Sequence, residues 1–140
     1  GKIKNWKEVG GPNMPIVVIS RDVSSGTFET FNEKVLDGET PRTDALMLAS
    51  NNAVVTTVSK TPGAVGYCGI GYVRSGVRAL VVDGVTVSKA TIQDGSYPIS
   101  RSLHMYTNGE PKGDAKRYID FVLSDAGQKL VEEQGFIPIR

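Results

Sequence analysis

The sequence predicts an α/β domain, and three features carry that prediction. Ile16-Val17-Val18-Ile19 is a short, uninterrupted apolar run rich in β-branched residues. Such a run marks a strand covered on both faces, as in parallel sheets. Phe28, Phe31, Val35 and Leu36 then recur at helical spacing among polar residues, an amphipathic helix directly after the strand. Further periodic segments follow, separated by glycine and proline breaks, so strands and helices alternate. A central mixed β-sheet flanked by helices is the architecture expected.

Each element has its local reason. Pro15 stands just before the first strand, and residues 20–27 form a Ser/Gly loop. Gly38 lies where the following helix should stop. Residues 39–50 are mixed and receive no element. Ser50, Asn51 and Asn52 are good N-caps for a helix over 53–59, which Thr61-Pro62-Gly63 breaks. Residues 65–73 alternate glycine with larger side chains and read as a strand closely approached by other backbone. Residues 79–82 and 85–87 flank Asp83-Gly84, a strong hairpin signal. A short helix over 88–94 ends at Gly95, Tyr97-Pro98-Ile99 turns the chain, and 103–107 reads as a strand. After the loop at 108–113, Ala115, Tyr118, Ile119 and Val122 make the apolar face of a helix. Ser124 caps a second one, and Gly135 stops it.

Composition narrows the function. The 140 residues are 39% apolar and 22% charged, which excludes wholesale disorder and coiled coil. Sixteen basic residues against fifteen acidic leave a formal charge of +1, with no electrostatic footprint for nucleic acid or an acidic membrane. Apolar runs such as 79–82 are far short of the ~20 residues a membrane helix needs. No secretory signal opens the chain; it starts at Gly1 rather than Met, which reads as a cut or processed end. One cysteine, Cys68, and one histidine, His104, do not make the usual zinc or iron–sulfur sets, so no metal or cofactor is expected.

The segment that carries chemistry is Arg21 to Thr27. A Ser/Gly loop between a buried strand and a helix presents unpaired backbone N–H groups at the helix N-terminus. The helix dipole adds about half a positive charge there. Ser24, Ser25 and Thr27 add hydroxyl donors, Gly26 lets the backbone approach a bound group, and Arg21 offers a forked, permanent cation. These suit a tetrahedral oxyanion beyond the carboxyl end of a strand. Plain helix capping is the other reading, and the residues alone leave both open. The loop is neither a phosphate-binding loop of the Gly-Lys-Ser/Thr type nor a Gly-x-Ser-x-Gly nucleophile elbow.

A family resemblance bears on that choice. Residues 3–11, the strand, Arg21-Asp22-x-Ser24-Ser25-Gly26-Thr27, residues 61–67, 97–101 and 103–111, and the end from Phe121 to Pro138 resemble the phosphate-binding proteins of ABC-type phosphate importers. The resemblance covers nearly the whole chain. It implies a periplasmic-binding-protein-like lobe within an incomplete two-lobe architecture. Residues 1–98 would be the second lobe, and 99–140 a return segment that packs on a missing first lobe. It implies no catalytic residues and binding of inorganic phosphate outside the cytoplasmic membrane, periplasmic or extracellular. The whole protein would be anchored through an N-terminal lipid and would deliver phosphate to ABC permease subunits. Arg21, Ser25, Gly26 and Thr27 would be this lobe's phosphate ligands, with Ser24 secondary. The family's acidic residue near Val23 is absent, and Asp22 should point elsewhere if the segment is extended. Selectivity against sulfate would rest on a carboxylate in the missing lobe. Fragment self-association as a homodimer, through residues 99–140, is a further expectation. A sensing module of the same fold, or a small phosphoryl-transfer enzyme, are the alternatives.

The remaining conspicuous residues have plain readings. Trp6, Tyr67 and Tyr72 suit packing, Cys68 a small buried hydrophobe, and His104 a surface position. Arg74, Arg78, Lys112, Lys116 and Arg117 suit a solvated surface.

Overall fold

Pro15 leads into β1 (Val17–Arg21), whose β-branched start gives way to the buried residues Ile19, Ser20 and Arg21. A computed structural model describes residues 1–139. The chain forms two compact units, Gly1–Leu80 and Val81–Arg140.

In the first unit β1 is the middle of a three-stranded sheet. It pairs in parallel with β2 (Leu46–Leu48) through its second half and with β3 (Ala64–Val65) through its first half. The connections are helical: α1 (Gly26–Val35) joins β1 to β2, and α2 (Asn51–Lys60) joins β2 to β3. Ile19, 1% exposed, meets the buried Val54 and Val55 of α2 in a small apolar core. Gly66 makes that packing possible. A Cβ there would stand 3.0 Å from both the Ile19 carbonyl oxygen and Val54 Cγ1. Ahead of the sheet, Trp6–Val9 is a 3-10 turn capped by Asn5, and Trp6 Nε1 donates to the Gly63 carbonyl at 2.9 Å.

The second unit holds α3 (Lys89–Gln93), α4 (Gly113–Leu123) and α5 (Asp125–Glu133). Ser124 ends α4 and caps α5 by accepting from the Gly127 amide at 3.2 Å. A side chain at Gly127 would overlap the Phe121 carbonyl, so the corner requires glycine. Buried Gln128 donates to Val122 O and accepts from the Ile139 amide, both at 2.8 Å, which folds the tail back on α5.

Several expectations change. The named sheet is parallel throughout rather than mixed; antiparallel pairing is confined to isolated bridges among the described residues. β2 arises from the stretch that received no element. The strand expected over 65–73 ends at Val65, and Ile70–Tyr72 is a 3-10 turn. Beyond Val65 the Tyr67 side chain takes over: the Arg21 amide donates to the Tyr67 hydroxyl at 3.1 Å, where a ladder bond would otherwise form. The hairpin is a single Val82–Val85 bridge. Residues 103–107 have no strand partner among the described residues, and an unpaired strand is not stable alone.

Candidate functional site

Parallel pairing sets the carboxyl ends of β1 and β2 side by side, and Arg21 is the last residue of β1. Its side chain lies over the end of β2 and the start of α2. Nε donates to Leu48 O at 3.1 Å, Nη2 to Ala49 O at 3.1 Å, and Nη1 to Asn51 Oδ1 at 2.9 Å. The residue is only 8% exposed. A guanidinium carries five N–H donors, so one on each Nη stays clear of these three bonds.

The chain turns directly after Arg21. The Ser25 amide donates to Asp22 O at 3.1 Å, and α1 begins at Gly26. Gly26 and Thr27, expected in the loop, are thus the first two residues of the helix. Buried Ser25 is the N-cap: its hydroxyl oxygen accepts from the amides of Thr27 at 3.2 Å and Phe28 at 3.3 Å. The Ser25 hydroxyl proton has no acceptor in those bonds, and the Gly26 amide has none within the helix. Arg21, Ser25, Gly26 and Thr27 thus lie within one short stretch of chain: Ser25 to Thr27 at the positive end of the α1 dipole, and the Arg21 side chain held against the segment that joins β2 to α2.

Asp22 behaves differently from the expectation. The turn breaks the two-residue alternation of a strand, so Asp22 does not point away: its Oδ2 lies 3.5 Å from Arg21 Nη2. The Ser24 hydroxyl is bonded to Asp22 Oδ1. That bond, opposed by partial burial and aided by the Arg21 charge, holds the Asp22 carboxyl below its ordinary value. Val23 is 75% exposed and takes no part.

Two contributors escaped sequence reasoning. Asn51 is not the cap of α2; Ser50 is, accepting from the Ala53 amide at 3.1 Å. The Asn51 side chain is free for Arg21. Tyr67 stacks on Phe31, ring centroids 4.0 Å apart, while its hydroxyl lies 2.8 Å from Ser20 Oγ. It thereby fixes the end of β1 beneath Arg21. The one available signal was Asn-Asn directly after Ser50, one residue more than a cap needs. Cys68 is half-buried, and burial pushes its thiol up, as for an inert side chain. His104 is exposed. No cluster of metal-ligating side chains occurs among the described residues.

A parallel β–α–β core with a helix opening directly after the central strand fits a lobe of the periplasmic-binding-protein fold. The PBP superfamily domain matches residues 1–126, and the chain belongs to that family. Curated relatives that it matches include proteins named as phosphate-binding proteins. The PstS phosphate-binding protein of Bacillus subtilis is 42% identical, over 99% of this chain and 47% of its own length. That of Borreliella burgdorferi is 36% identical, over 100% of this chain and 54% of its own. Among solved structures, a Clostridium perfringens protein described as a phosphate ABC transporter substrate-binding protein, with bound phosphate, superposes with a TM-score of 0.83 at 35% identity. All of this chain and 58% of that one are covered. An ABC-type phosphate transport receptor from Vibrio cholerae gives 0.80 at 34%, over 98% of this chain and 58% of that one. The chain spans about half the length of the curated relatives it matches.

Proposed function

We propose that this chain is one lobe of an extracytoplasmic phosphate-binding protein that hands inorganic phosphate to an ABC permease, and that it acts by binding rather than catalysis. The observation that carries the reading is Arg21: a buried guanidinium, immobilised at the end of β1 four residues before the N-cap of α1, with N–H donors beyond its three hydrogen bonds. Its fork and charge suit a phosphate oxygen pair. Gly26 and Thr27 amides, the Ser25 hydroxyl and the Thr27 hydroxyl would replace the water that the anion gives up. Ser24, turned to Asp22, is at most a secondary donor.

The rest of the reading follows the family. Residues 1–98 act as the lobe proper, and 99–140 return to pack on the other lobe. The exposed Tyr118, Phe121 and Leu123 of α4 support a packing role for that segment. Lobe closure would complete the site, so one lobe alone binds weakly. A carboxylate from the other lobe would separate protonated phosphate from sulfate. Extracytoplasmic location with an N-terminal lipid anchor belongs to the same proposal. A second copy of the chain is the alternative cover for residues 99–140, and sedimentation at rising concentration tells the two apart.

The test is a phosphate titration followed by backbone amide NMR, repeated with sulfate and with Arg21→Lys. Phosphate should shift the Ser25, Gly26 and Thr27 amides. Arg21→Lys, which keeps the charge and loses the fork, should weaken the response about tenfold or more. Sulfate should act like phosphate on this lobe. Unmoved amides at millimolar phosphate would refute the reading.

A further inference from the structure

We propose that Asn51 is a positioning residue for Arg21, one that fixes the guanidinium through a neutral oxygen and so leaves its charge available to the anion. The binding half of this inference rests on the phosphate reading above.

Asn51 is the first residue of α2, and its Oδ1 holds two groups at once. It accepts from Arg21 Nη1 at 2.9 Å and from the Gly69 amide at 3.4 Å. One side-chain oxygen therefore ties the end of β1 to the segment that follows β3. The other two acceptors of Arg21 are the backbone carbonyls of Leu48 and Ala49. All three are uncharged. One carboxylate is already beside the guanidinium: Asp22 Oδ2 forms an ion pair with Nη2 at 3.5 Å, while Oδ1 takes the Ser24 hydroxyl.

The distinction between an amide and an acid at position 51 is therefore chemical rather than steric. Asp has nearly the shape of Asn and would accept both bonds. It would also pair a full negative charge with the guanidinium inside a partly buried site, where such pairs are strong. The cation would then face a second carboxylate in addition to Asp22 before any anion arrived, and the anion would meet a further like charge. Asn gives the same aim without that loss. A purely structural side chain would show no preference for Asn over Asp. It would even favour Asp, which suits the positive end of α2.

The two roles are separated by Asn51→Ala and Asn51→Asp in the full 140-residue chain. Arg21 Nε–H and Nη–H signals, recorded without ligand, report whether the guanidinium is held. They should be sharp and slowly exchanging in the wild type and in Asn51→Asp, and broadened in Asn51→Ala. Thermal unfolding should place Asn51→Asp at or above the wild type and Asn51→Ala below it. Inorganic phosphate should then bind a few-fold more weakly to Asn51→Ala and about tenfold or more weakly to the stable Asn51→Asp. Binding and stability would thus rank the variants in opposite orders. Unchanged Arg21 signals in Asn51→Ala would overturn the positioning role. Wild-type phosphate affinity in Asn51→Asp would overturn the charge-sparing role. If the wild type itself ignores phosphate, the functional reading falls and the charge-sparing half falls with it, while the ligand-free Arg21 signals still decide positioning.

Discussion

The two compact units bury different things. In residues 1–80 the buried set is Ile19, Val54 and Val55 together with Ser20, Arg21, Ser25 and Thr30: an apolar centre continuous with a polar, hydrogen-bonded rim. In residues 81–140 no large hydrophobe is fully buried among the described residues, and Tyr106 and Tyr118 are 89% and 65% exposed. What holds α4 and α5 is mostly local. Ser124 serves both helices, Gln128 ties the tail, and ion pairs such as Lys116–Asp120 run along one surface. The difference teaches where the binding geometry gets its rigidity. Arg21 is aimed by Leu48 at the end of β2, by Ala49 and by Asn51 of α2, in the unit whose centre is the buried Ile19, Val54 and Val55. The second unit has helices without such a centre.

The strongest way to break that contrast is at its middle. Ile19→Ala should cost about 2–5 kcal/mol, because the site lies between strand and helix and cannot easily collapse. Chemical denaturation would measure it. Phe121→Ser in α4, half-exposed in the second unit, should change stability by less than about 0.5 kcal/mol. Comparable losses from the two would mean that the second unit has a core of its own. Next in size, Gly66→Ala forces a methyl against the Ile19 carbonyl and Val54 and should cost about 1–3 kcal/mol. Hydrogen exchange sharpens the comparison without mutation: β1 and α2 amides should exchange only on global unfolding, α4 amides sooner.

Ser25 joins stability to function. Its hydroxyl caps α1, so Ser25→Ala should cost about 1 kcal/mol, and Ser25→Gly only a few tenths. Both variants remove the hydroxyl donor, so phosphate binding should fall alike in the two. If binding instead tracks stability, Ser25 serves the helix alone.

How much of this was legible follows the range of the forces involved. Ile16 to Ile19 announced a strand because β-branched apolar runs are a local signal. Phe28, Phe31, Val35 and Leu36 announced a helix because their spacing is local, although the helix opens at Gly26, two residues before that spacing shows it. β2 was not legible: Leu46-Met47-Leu48 is three residues long, and only pairing with β1 makes it a strand. The glycine-alternating stretch after Val65 misled for the converse reason, since a tertiary bond from Tyr67 replaces the ladder there. Within the site, donors carried by one loop could be read in order. Asn51 and the carbonyls of Leu48 and Ala49 could not, because nothing in their local spacing shows that Arg21 reaches them. Asp22 was misjudged through an extended geometry that stops one residue too soon.

The smallest expected effect is the share of the pH dependence that Asp22 contributes in the first unit. The Asp22 carboxyl is held below its ordinary value by the Ser24 hydroxyl and by the Arg21 charge. An unfolded Asp22 therefore takes up a proton at a higher pH than the folded one. The stabilisation is fully present above the ordinary value of 3.8 and is lost as pH falls through the lower folded value. Asp44, lowered by Arg42, and Asp94, lowered by Ser96, titrate in the same direction. The Asp22 contribution must therefore be read as a difference. Asp22→Asn should leave the stability curve unchanged near neutrality in shape and flatten it only below about pH 4. Local probes then place the effect. Acid should loosen the Arg21 side-chain signals in the wild type but not in Asp22→Asn, and the amides of α4 should respond identically in both. An acid response of α4 that differed between the two would show that this carboxylate acts beyond the turn it belongs to.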